Sequence, residues 1–464
     1  MKPGIELADK RVLVVGLART GVATALFCSA RGARVTASEE SPEEKVREAA
    51  ETLRKVGVTL ELGGHQRDTF LEQDLIIPSP GVPFDSAHLV AARAHGVTVW
   101  SEIELAWRFL RGKLVAITGS NGKTTTTALT GHILESAGTP TLVGGNIGTP
   151  LIALVEQSSD TTVAVAEMSS FQLEAIDRFH PEVGVLLNLT PDHLDRHPSL
   201  EAYAAAKARI FENQDEHDAA VLNADDPAST PLAPSRPHVY WTSRTKRVAA
   251  GAFLLDGQIV FRHDGTETPL LRRDAIPLRG EHNVENVLAA SAAAFLAGAA
   301  PEQIESGVRS FAGVEHRLEF VAEVRGVSFY NDSKATNVDA TLKAIDAFAG
   351  GLLLILGGKD KGSDYTLLAD ALRQRVKQVL LIGAATEKIA TQLKGVVPLE
   401  RAETIDCAVR IAFDRAKDGD TVLLAPACAS FDQFQNYEHR GRVFKQLVRQ
   451  IAQESAAGGV KRAS

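Results

Sequence analysis

Gly119, Gly122, Lys123 and Thr124 stand in the run Gly119-Ser120-Asn121-Gly122-Lys123-Thr124-Thr125, whose residue types and spacing suit a phosphate. Glycines let main-chain N–H groups come close to an anion, Lys123 adds a point charge, and the Thr124 hydroxyl can ligate Mg2+. A lone Gly-Lys-Thr is an ordinary turn before a helix, but the flanks here say more. Leu114 to Ile117 is an apolar run of strand length, and Ala128, Leu129, Ile133 and Leu134 follow the loop at helical spacing. Strand, glycine loop and helix N-terminus in that order hold nucleotide phosphates, so ATP or GTP is the expected ligand. Two residues separate the glycines, fewer than the four of the usual phosphate loop.

Further residues fall where such a loop would need them. Val163 to Ala166 reads as a strand ending in Glu167-Met168-Ser169-Ser170-Phe171-Gln172, and Val183 to Leu187 as one running on to Asn188, Asp192, His193 and Asp195. Parallel strands deliver their C-terminal ends to one edge, which brings Glu167, Asp192, His193 and Asp195 within reach of a metal and phosphates. Singly each is a common cap or turn residue; around one loop they form a constellation. Between them lies Gly144-Gly145-Asn146-Ile147-Gly148, too glycine-rich for helix or strand. Lys207 sits in an alanine-rich helix from Leu200 to Asn213, where by itself it reads as a surface lysine. Asn283 and Asn286 share a face at the opening of a helix through Val287 to Leu296, and can cap it or read a base.

The elements before this centre form a strand–loop–helix–strand unit. Arg11 to Val15 is the first strand, Gly16 to Gly21 the loop, Val22 to Arg31 the helix, and Ala33 to Ala37 the second strand, with Glu39 and Glu40 after it. This is half of a dinucleotide-type fold. The loop lacks the middle glycine of an NAD site, so another diphosphate-bearing ligand or a purely structural unit fits at least as well. Asp74 to Ile77 leads into Pro78-Ser79-Pro80-Gly81-Val82-Pro83, a stiff loop of the kind that suits ligands at strand ends. Val97 to Trp100 and a helix through Ile103, Leu105 and Leu110 close the unit near Gly112.

Residues 236–279 have the pattern of short β-strands. A third α/β unit begins near Gly313 and carries Val327 to Asn337, a strand Leu352 to Leu356 followed by Gly357-Gly358-Lys359-Asp360-Lys361, and strands Gln378 to Ile382 and Thr421 to Leu424. Ala425 to Tyr437 follows the last strand. Basic and hydroxyl residues again gather at strand ends, among them Lys334, Thr336, Lys361, Ser430 and Tyr437. The tail after Glu454 is expected to fray.

Composition bounds the function. At 464 residues, with 44% apolar and 23% charged side chains, the chain has the size of about three ordinary domains with ample core. A net charge of -8 gives no electrostatic case for nucleic acid as partner. No apolar run is long enough to span a membrane, and no signal-peptide pattern precedes the first strand. Cys28, Cys407 and Cys428 lack metal-ligand spacing and are expected to be reduced packing residues of a cytoplasmic protein.

Together these motifs closely resemble those of the Mur ligases, the ATP-dependent amide-bond ligases of bacterial cell-wall precursor synthesis. The resemblance rests on Gly119 to Thr125, Gly145 to Gly148, Glu167 to Leu173, Asn188 to Arg196, Gly280 to Asn286, His316-Arg317 and Asn331 to Asn337, in the family's order through nearly the whole chain. Asp332 to Asn337 and Pro426 to Phe434 look like the branch that adds D-glutamate. The resemblance implies an α/β protein of three domains. Residues 1–106 would be a Rossmann-like domain for the UDP-substrate, 107–313 a central P-loop ATPase-like parallel sheet, and 314–464 a Rossmann-like domain for the amino acid.

The implied reaction joins D-glutamate to UDP-N-acetylmuramoyl-L-alanine. The alanyl carboxylate attacks the ATP γ-phosphate, and the D-glutamate amine displaces phosphate from the resulting acyl phosphate. The resemblance assigns Lys123, Glu167, His193, Lys207 and Asn146 to catalysis. It assigns ATP to Gly119, Ser120, Asn121, Gly122, Lys123, Thr124, Thr125, Asn283, Asn286, Arg317 and Asp332. Two Mg2+ ions would lie on Thr124, Glu167, His193 and Lys207, the last as a carbamate, which requires a neutral amine of low pKa. The UDP-substrate would meet Leu17, Ala18, Arg19, Thr20, Ser79, Pro80, Gly81 and Asn146. Thr336, Lys361, Ser430 and Tyr437 would take D-glutamate. Glu39 and Glu40 depart from the basic residue that can help hold the uridine nucleotide in relatives, and Tyr437 departs from an aromatic without a hydroxyl. A cytoplasmic monomer is expected, with neither nucleic acid nor membrane as partner. A sister ligase for another amino acid, or a folylpolyglutamate-type ligase, would share the central motifs and differ in the third domain.

Overall fold

A computed structural model of the chain describes residues 4–192 and 196–460. It forms two compact units, Met1–Pro277 with Glu285–Phe311, and Leu278–Val284 with Ala312–Ser464. Among the described residues no helix is long and apolar enough to cross a membrane.

The first unit holds two sheets. β1 (Arg11–Val15), β2 (Arg34–Glu39), β3 (Thr59–Leu62), β4 (Leu75–Pro78) and β5 (Thr98–Val99) lie in the order β3-β2-β1-β4-β5, all parallel. The strand order reverses between β1 and β4, so the loops after them part and leave a crevice. The second sheet comprises β6 (Lys113–Thr118), β7 (Thr141–Gly145), β8 (Val163–Glu167), β9 (Val183–Leu186), β10 (Ala219–Asn223), β11 (His238–Ser243), β12 (Gly251–Leu255), β13 (Gln258–His263) and β14 (Thr266–Arg272). Its order is β14-β13-β12-β11-β10-β9-β6-β8-β7, parallel except where β13 and β14 fold back. β6 lies inside this sheet and is buried on both faces from Leu114 to Thr118, which is why it reads as an unbroken apolar run.

One core joins the two sheets through the helix Glu102–Phe109. Ile103, Leu105, Ala106 and Trp107 are buried in a cluster that also contains Leu17, Leu75, Leu114 and Ile152. Glu104 is buried on the same helix, and its carboxylate accepts the N–H groups of Asp177, Arg178 and Phe179 while pairing with Arg108.

The second unit carries β15 (Glu319–Val324), β16 (Val327–Asn331), β17 (Leu352–Gly357), β18 (Val376–Ile382), β19 (Leu399–Glu403) and β20 (Thr421–Leu424), in the order β15-β16-β20-β17-β18-β19. Only β15 and β16 are antiparallel to one another. The run β19-β18-β17-β20 repeats the arrangement of β3-β2-β1-β4, a second Rossmann-like sheet.

Three local expectations need correction. The first helix is Arg19–Ala30, so Arg19 and Thr20 belong to its opening turn rather than to the loop. Gly144 and Gly145 end β7, opposite Ala166 and Glu167, where a Cβ on Gly145 would come within 2.4 Å of the Glu167 carbonyl oxygen. Cys407 is exposed, whereas Cys28 and Cys428 are buried and their thiols are pushed up to about 12 and about 11 by burial.

Candidate active site

The loop between β6 and the helix Lys123–Ser136 is built around two glycines that no other residue could replace. Gly119 and Gly122 take φ of 147° and 85°, and a Cβ on Gly122 would lie 2.2 Å from the Asn286 side-chain oxygen. Ser120 and Asn121 pin the loop to the strand end after β9. The Ser120 hydroxyl accepts the Thr190 N–H at 2.9 Å, and the Asn121 N–H donates to the Asn188 side chain at 2.9 Å. Lys123 folds back on the loop and donates to the Gly119 and Ser120 carbonyls, both at 2.8 Å. Thr124 and Thr125 are buried in the helix's first turn, and the Thr126 hydroxyl meets Asn286 at 3.4 Å.

Glu167, at the end of β8, is the centre of this arrangement. It is 2% exposed, and its two oxygens accept the Thr124 hydroxyl and the Asn146 amide, each at 2.8 Å. β7 and β8 are paired so that Asn146 follows directly, its N–H donating to the Glu167 carbonyl. A hydroxyl and a carboxylate side by side at a phosphate-type loop are hard oxygen donors of the kind Mg2+ takes.

Lys207 is no surface lysine. It is 1% exposed on the helix Leu200–Ala208, and its ammonium nitrogen reaches the Gly119 carbonyl at 2.8 Å and the Thr118 hydroxyl at 3.3 Å. It shares the inward face of that helix with Tyr203 and Ala206, which are also buried. Burial, aided by the nearby Lys123 charge, holds its pKa well below the ordinary lysine value, against the pull of Asp192 and Glu167. Asp192 is half-buried. His193 and Asp195 lie outside the described residues.

Beside this centre, in the same unit, a cleft of about 560 Å³ opens at the switch point of the first sheet. Ala18, Thr20, Ser79, Pro80, Gly81 and Asn146 line it. Leu17 is buried and offers its N–H to Glu39 at 2.7 Å, while Arg19 turns to the Gly148 carbonyl at 2.7 Å. Glu39 therefore braces the loop, its other oxygen accepting the Ser41 N–H at 2.9 Å, and these bonds lower its pKa despite partial burial. Glu40 stays exposed at the cleft's edge. His65, Phe70 and His88 also line the cleft; none was singled out in the sequence, because His65 follows Gly63-Gly64 in what reads as a plain turn.

In the second unit, Arg317 lies between two non-glycine residues with left-handed backbone, His316 at φ 65° and Leu318 at φ 41°. Such strain persists where surrounding contacts enforce it. Asn331 donates to the His316 ring at 2.9 Å, and the Lys334 N–H donates to the His316 carbonyl at 3.2 Å. Asp332, at the end of β16, is buried; burial pushes its carboxyl up to about 7, against Arg317, the Leu318 N–H and Lys334. Asn283, also in this unit, donates to the Arg279 carbonyl at 2.6 Å.

Of the residues expected around D-glutamate, Thr336 is half-buried, Ser430 buried, Tyr437 half-buried and Lys361 exposed. The loops bearing them are tied together. Lys359 and Ala429 exchange main-chain hydrogen bonds, joining the loop of Lys361 to that of Ser430. Arg440, wholly buried, donates to the Ser333 hydroxyl and carbonyl and to the Cys428 carbonyl. Ser333 in turn donates to the Tyr437 carbonyl. Arg440 was missed in the sequence, since an arginine one turn into a terminal helix looks solvent-facing.

Three family models match: "Mur ligase MurD-like, N-terminal domain" over residues 10–101, "Mur ligase middle domain" over 117–294, and "Mur ligase, glutamate ligase domain" over 316–428. The UDP-N-acetylmuramoylalanine--D-glutamate ligase of Koribacter versatilis is 54% identical over 451 residues, covering 97% of this chain and 99% of that protein. The enzyme of the same name from Acidobacterium capsulatum is 56% identical over 456 residues, covering 98% of each.

The chain belongs to the Mur ligase family. Solved structures agree on the fold. The UDP-N-acetylmuramate-alanine ligase of Thermotoga maritima superimposes with a TM-score of 0.60 at 20% identity, covering 95% of this chain and 100% of that one. The MurF ligase of the same organism, solved with ADP, gives 0.60 at 17% identity over 97% and 98%. Within this Mur ligase, Gly119, Lys123, Thr124, Asn146, Glu167, Lys207 and Asn286 come together around one loop, and Arg317 with Asp332 form a second group in the other unit.

Proposed function

We propose that this Mur ligase joins D-glutamate to UDP-N-acetylmuramoyl-L-alanine at the expense of ATP, in the synthesis of peptidoglycan precursors. The alanyl carboxylate attacks the γ-phosphorus, ADP leaves, and an acyl phosphate forms. The neutral amine of D-glutamate attacks its carbonyl carbon, phosphate departs, and the amine's extra proton is lost. The observation that carries this reading is the convergence of Thr124 and Asn146 on the Glu167 carboxylate beside Lys123, with Lys207 buried behind them. The relatives' common name supports the choice of amino acid.

Lys123 neutralises phosphate charge as it moves toward the bridging oxygen. Thr124 and Glu167 would hold one Mg2+, which when bound spreads the negative charge of the β- and γ-phosphates. His193 and Lys207 would serve a second ion. The depressed pKa of Lys207 supports its carbamylation, because the free amine must attack CO2 and release a proton. Asn146 orients the substrate carboxylate, and the cleft between Ala18, Thr20 and Ser79-Pro80-Gly81 takes the uridine diphosphate, with Leu17 and Arg19 fixing the loop. Asn283, Asn286, Arg317 and Asp332 hold the nucleotide, while Thr336, Lys361, Ser430 and Tyr437 bind D-glutamate. The domains run 1–106, 107–313 and 314–464, and the enzyme works as a cytoplasmic monomer.

The test is release of phosphate from ATP that requires both UDP-N-acetylmuramoyl-L-alanine and D-glutamate. Phosphate release indifferent to the uridine substrate would contradict the proposal.

A further inference from the structure

The far end of the cleft in the first unit is left unexplained by the phosphate loop. We propose that His65 selects the nucleobase of the substrate, its Nε2 accepting a hydrogen bond from the N3–H of uracil. This rests on the reading of the cleft as the uridine-diphosphate site.

Charge first sorts the ends of the ligand. The diphosphate belongs at Ala18 and Thr20, where the 12-residue helix Arg19–Ala30 presents its N-terminus, and not beside Glu39 and Glu40. Ser38 on β2 is paired with Val15 on β1 and with Glu61 on β3. The His65 ring lies against Ser38, so it sits one to two strand spacings, about 5–10 Å, from β1, and it lines the same cleft as Ala18 and Thr20. A ribose and base bridge such a span. Glu39 is turned toward the loop instead, each of its oxygens accepting a main-chain N–H, from Leu17 and from Ser41.

The hydrogen bonds behind His65 fix its tautomer. Glu61 is held by the Gln66 N–H at 2.5 Å and the Thr69 hydroxyl at 2.7 Å, and it accepts the Ser38 hydroxyl at 3.2 Å. A carboxylate can only accept, so we assign the single Ser38 hydroxyl proton to Glu61. With that assignment the ring donates in the 2.7 Å contact between Ser38 Oγ and His65 Nδ1. Nε2 is left with a lone pair. Phe70 and His88 pack edge-on against the imidazole at centroid distances of 5.6 and 5.8 Å and hold its plane. An acceptor so fixed matches the N3–H of uracil and opposes the N3 lone pair of cytosine, which gives discrimination as well as affinity.

Titration calorimetry on the full chain with UDP, CDP and a non-hydrolysable ATP analogue tests this. The parent should prefer UDP to CDP. His65→Phe keeps a ring against Phe70 and His88 but removes the acceptor, so UDP affinity should fall about 5- to 10-fold. Its preference over CDP should vanish, with affinity for the ATP analogue unchanged. His65→Gln, whose amide can turn either its oxygen or its NH2 to the base, should recover UDP affinity but not the full preference over CDP. Should His65→Phe melt early, Ser38→Ala, which frees the tautomer, should also lose the preference. An undiminished UDP preference in His65→Phe, or in Ser38→Ala where that variant stands in, overturns the role of His65 and leaves the cleft's assignment intact. A parent that binds no UDP overturns both.

Discussion

Asp332→Asn is expected to make the protein more stable while removing its turnover. Asp332 is 7% exposed, and burial lifts its carboxyl from 3.8 to about 7 although Arg317, the Leu318 N–H and Lys334 favour the ionised form. A rise of about three units corresponds to about 4 kcal/mol. The sign is that of an acid whose folded pKa is raised: the folded state holds the proton more tightly than the unfolded chain. The stability from this group is complete below about pH 4 and is lost as pH rises to about 7. Asparagine keeps an oxygen for the Leu318 N–H and has no charge to bury, so it escapes that loss. Its advantage should grow from near zero at about pH 4 to a ceiling of about 4 kcal/mol above about pH 7, a figure that already includes the attraction of Arg317 and Lys334 for the ionised form. Scanning calorimetry of the full chain at about pH 5 and about pH 8 should show the gap in melting temperature widening with pH. Ligation by the variant should fall by about 100-fold or more. A variant less stable than its parent at the higher pH, or a gap that ignores pH, would refute the view of Asp332 as a carboxylate kept for function against its own stability.

Lys123→Ala should lower kcat by about 100- to 1,000-fold while the affinity for UDP, measured by calorimetry, stays unchanged. Near-normal turnover would remove the phosphate-loop assignment. Lys207→Ala should lose at least about 10- to 100-fold in activity, with partial recovery on adding acetate or formate as a substitute anion; 13C NMR with labelled bicarbonate should show the carbamate in the parent. Lys361→Ala should raise KM for D-glutamate by roughly 10- to 100-fold and KM for ATP far less, as expected for a lost charged partner of a carboxylate. Equal damage to both constants would make Lys361 a phosphate residue instead.

The central loop was legible in the sequence because its chemistry is local: Gly119, Gly122, Lys123 and Thr124 are neighbours, and the flanking strand and helix announce themselves by apolar spacing. Glu167 could be placed because a parallel sheet gathers its strand ends. Lys207 could not be read from its own surroundings, since alanines conceal which face of the helix is buried, and only packing against Gly119 and Thr118 reveals it. The Gly144-Gly145 pair was misread as loop because glycine disfavours strands, yet here the approach of Glu167 and Thr149 excludes any Cβ. His65 and Arg440 were invisible for a similar reason. The Ser38 that His65 meets lies 27 residues away, and the Ser333 that holds Arg440 lies 107 residues away.

The choice of amino acid is tested most directly by phosphate release from ATP with UDP-N-acetylmuramoyl-L-alanine and a panel of D-glutamate, L-glutamate, L-lysine and meso-diaminopimelate. Release should depend on D-glutamate and yield a uridine product heavier by one glutamyl residue. Efficient turnover with meso-diaminopimelate or L-lysine, and none with D-glutamate, would contradict the assignment and make this chain a sister ligase.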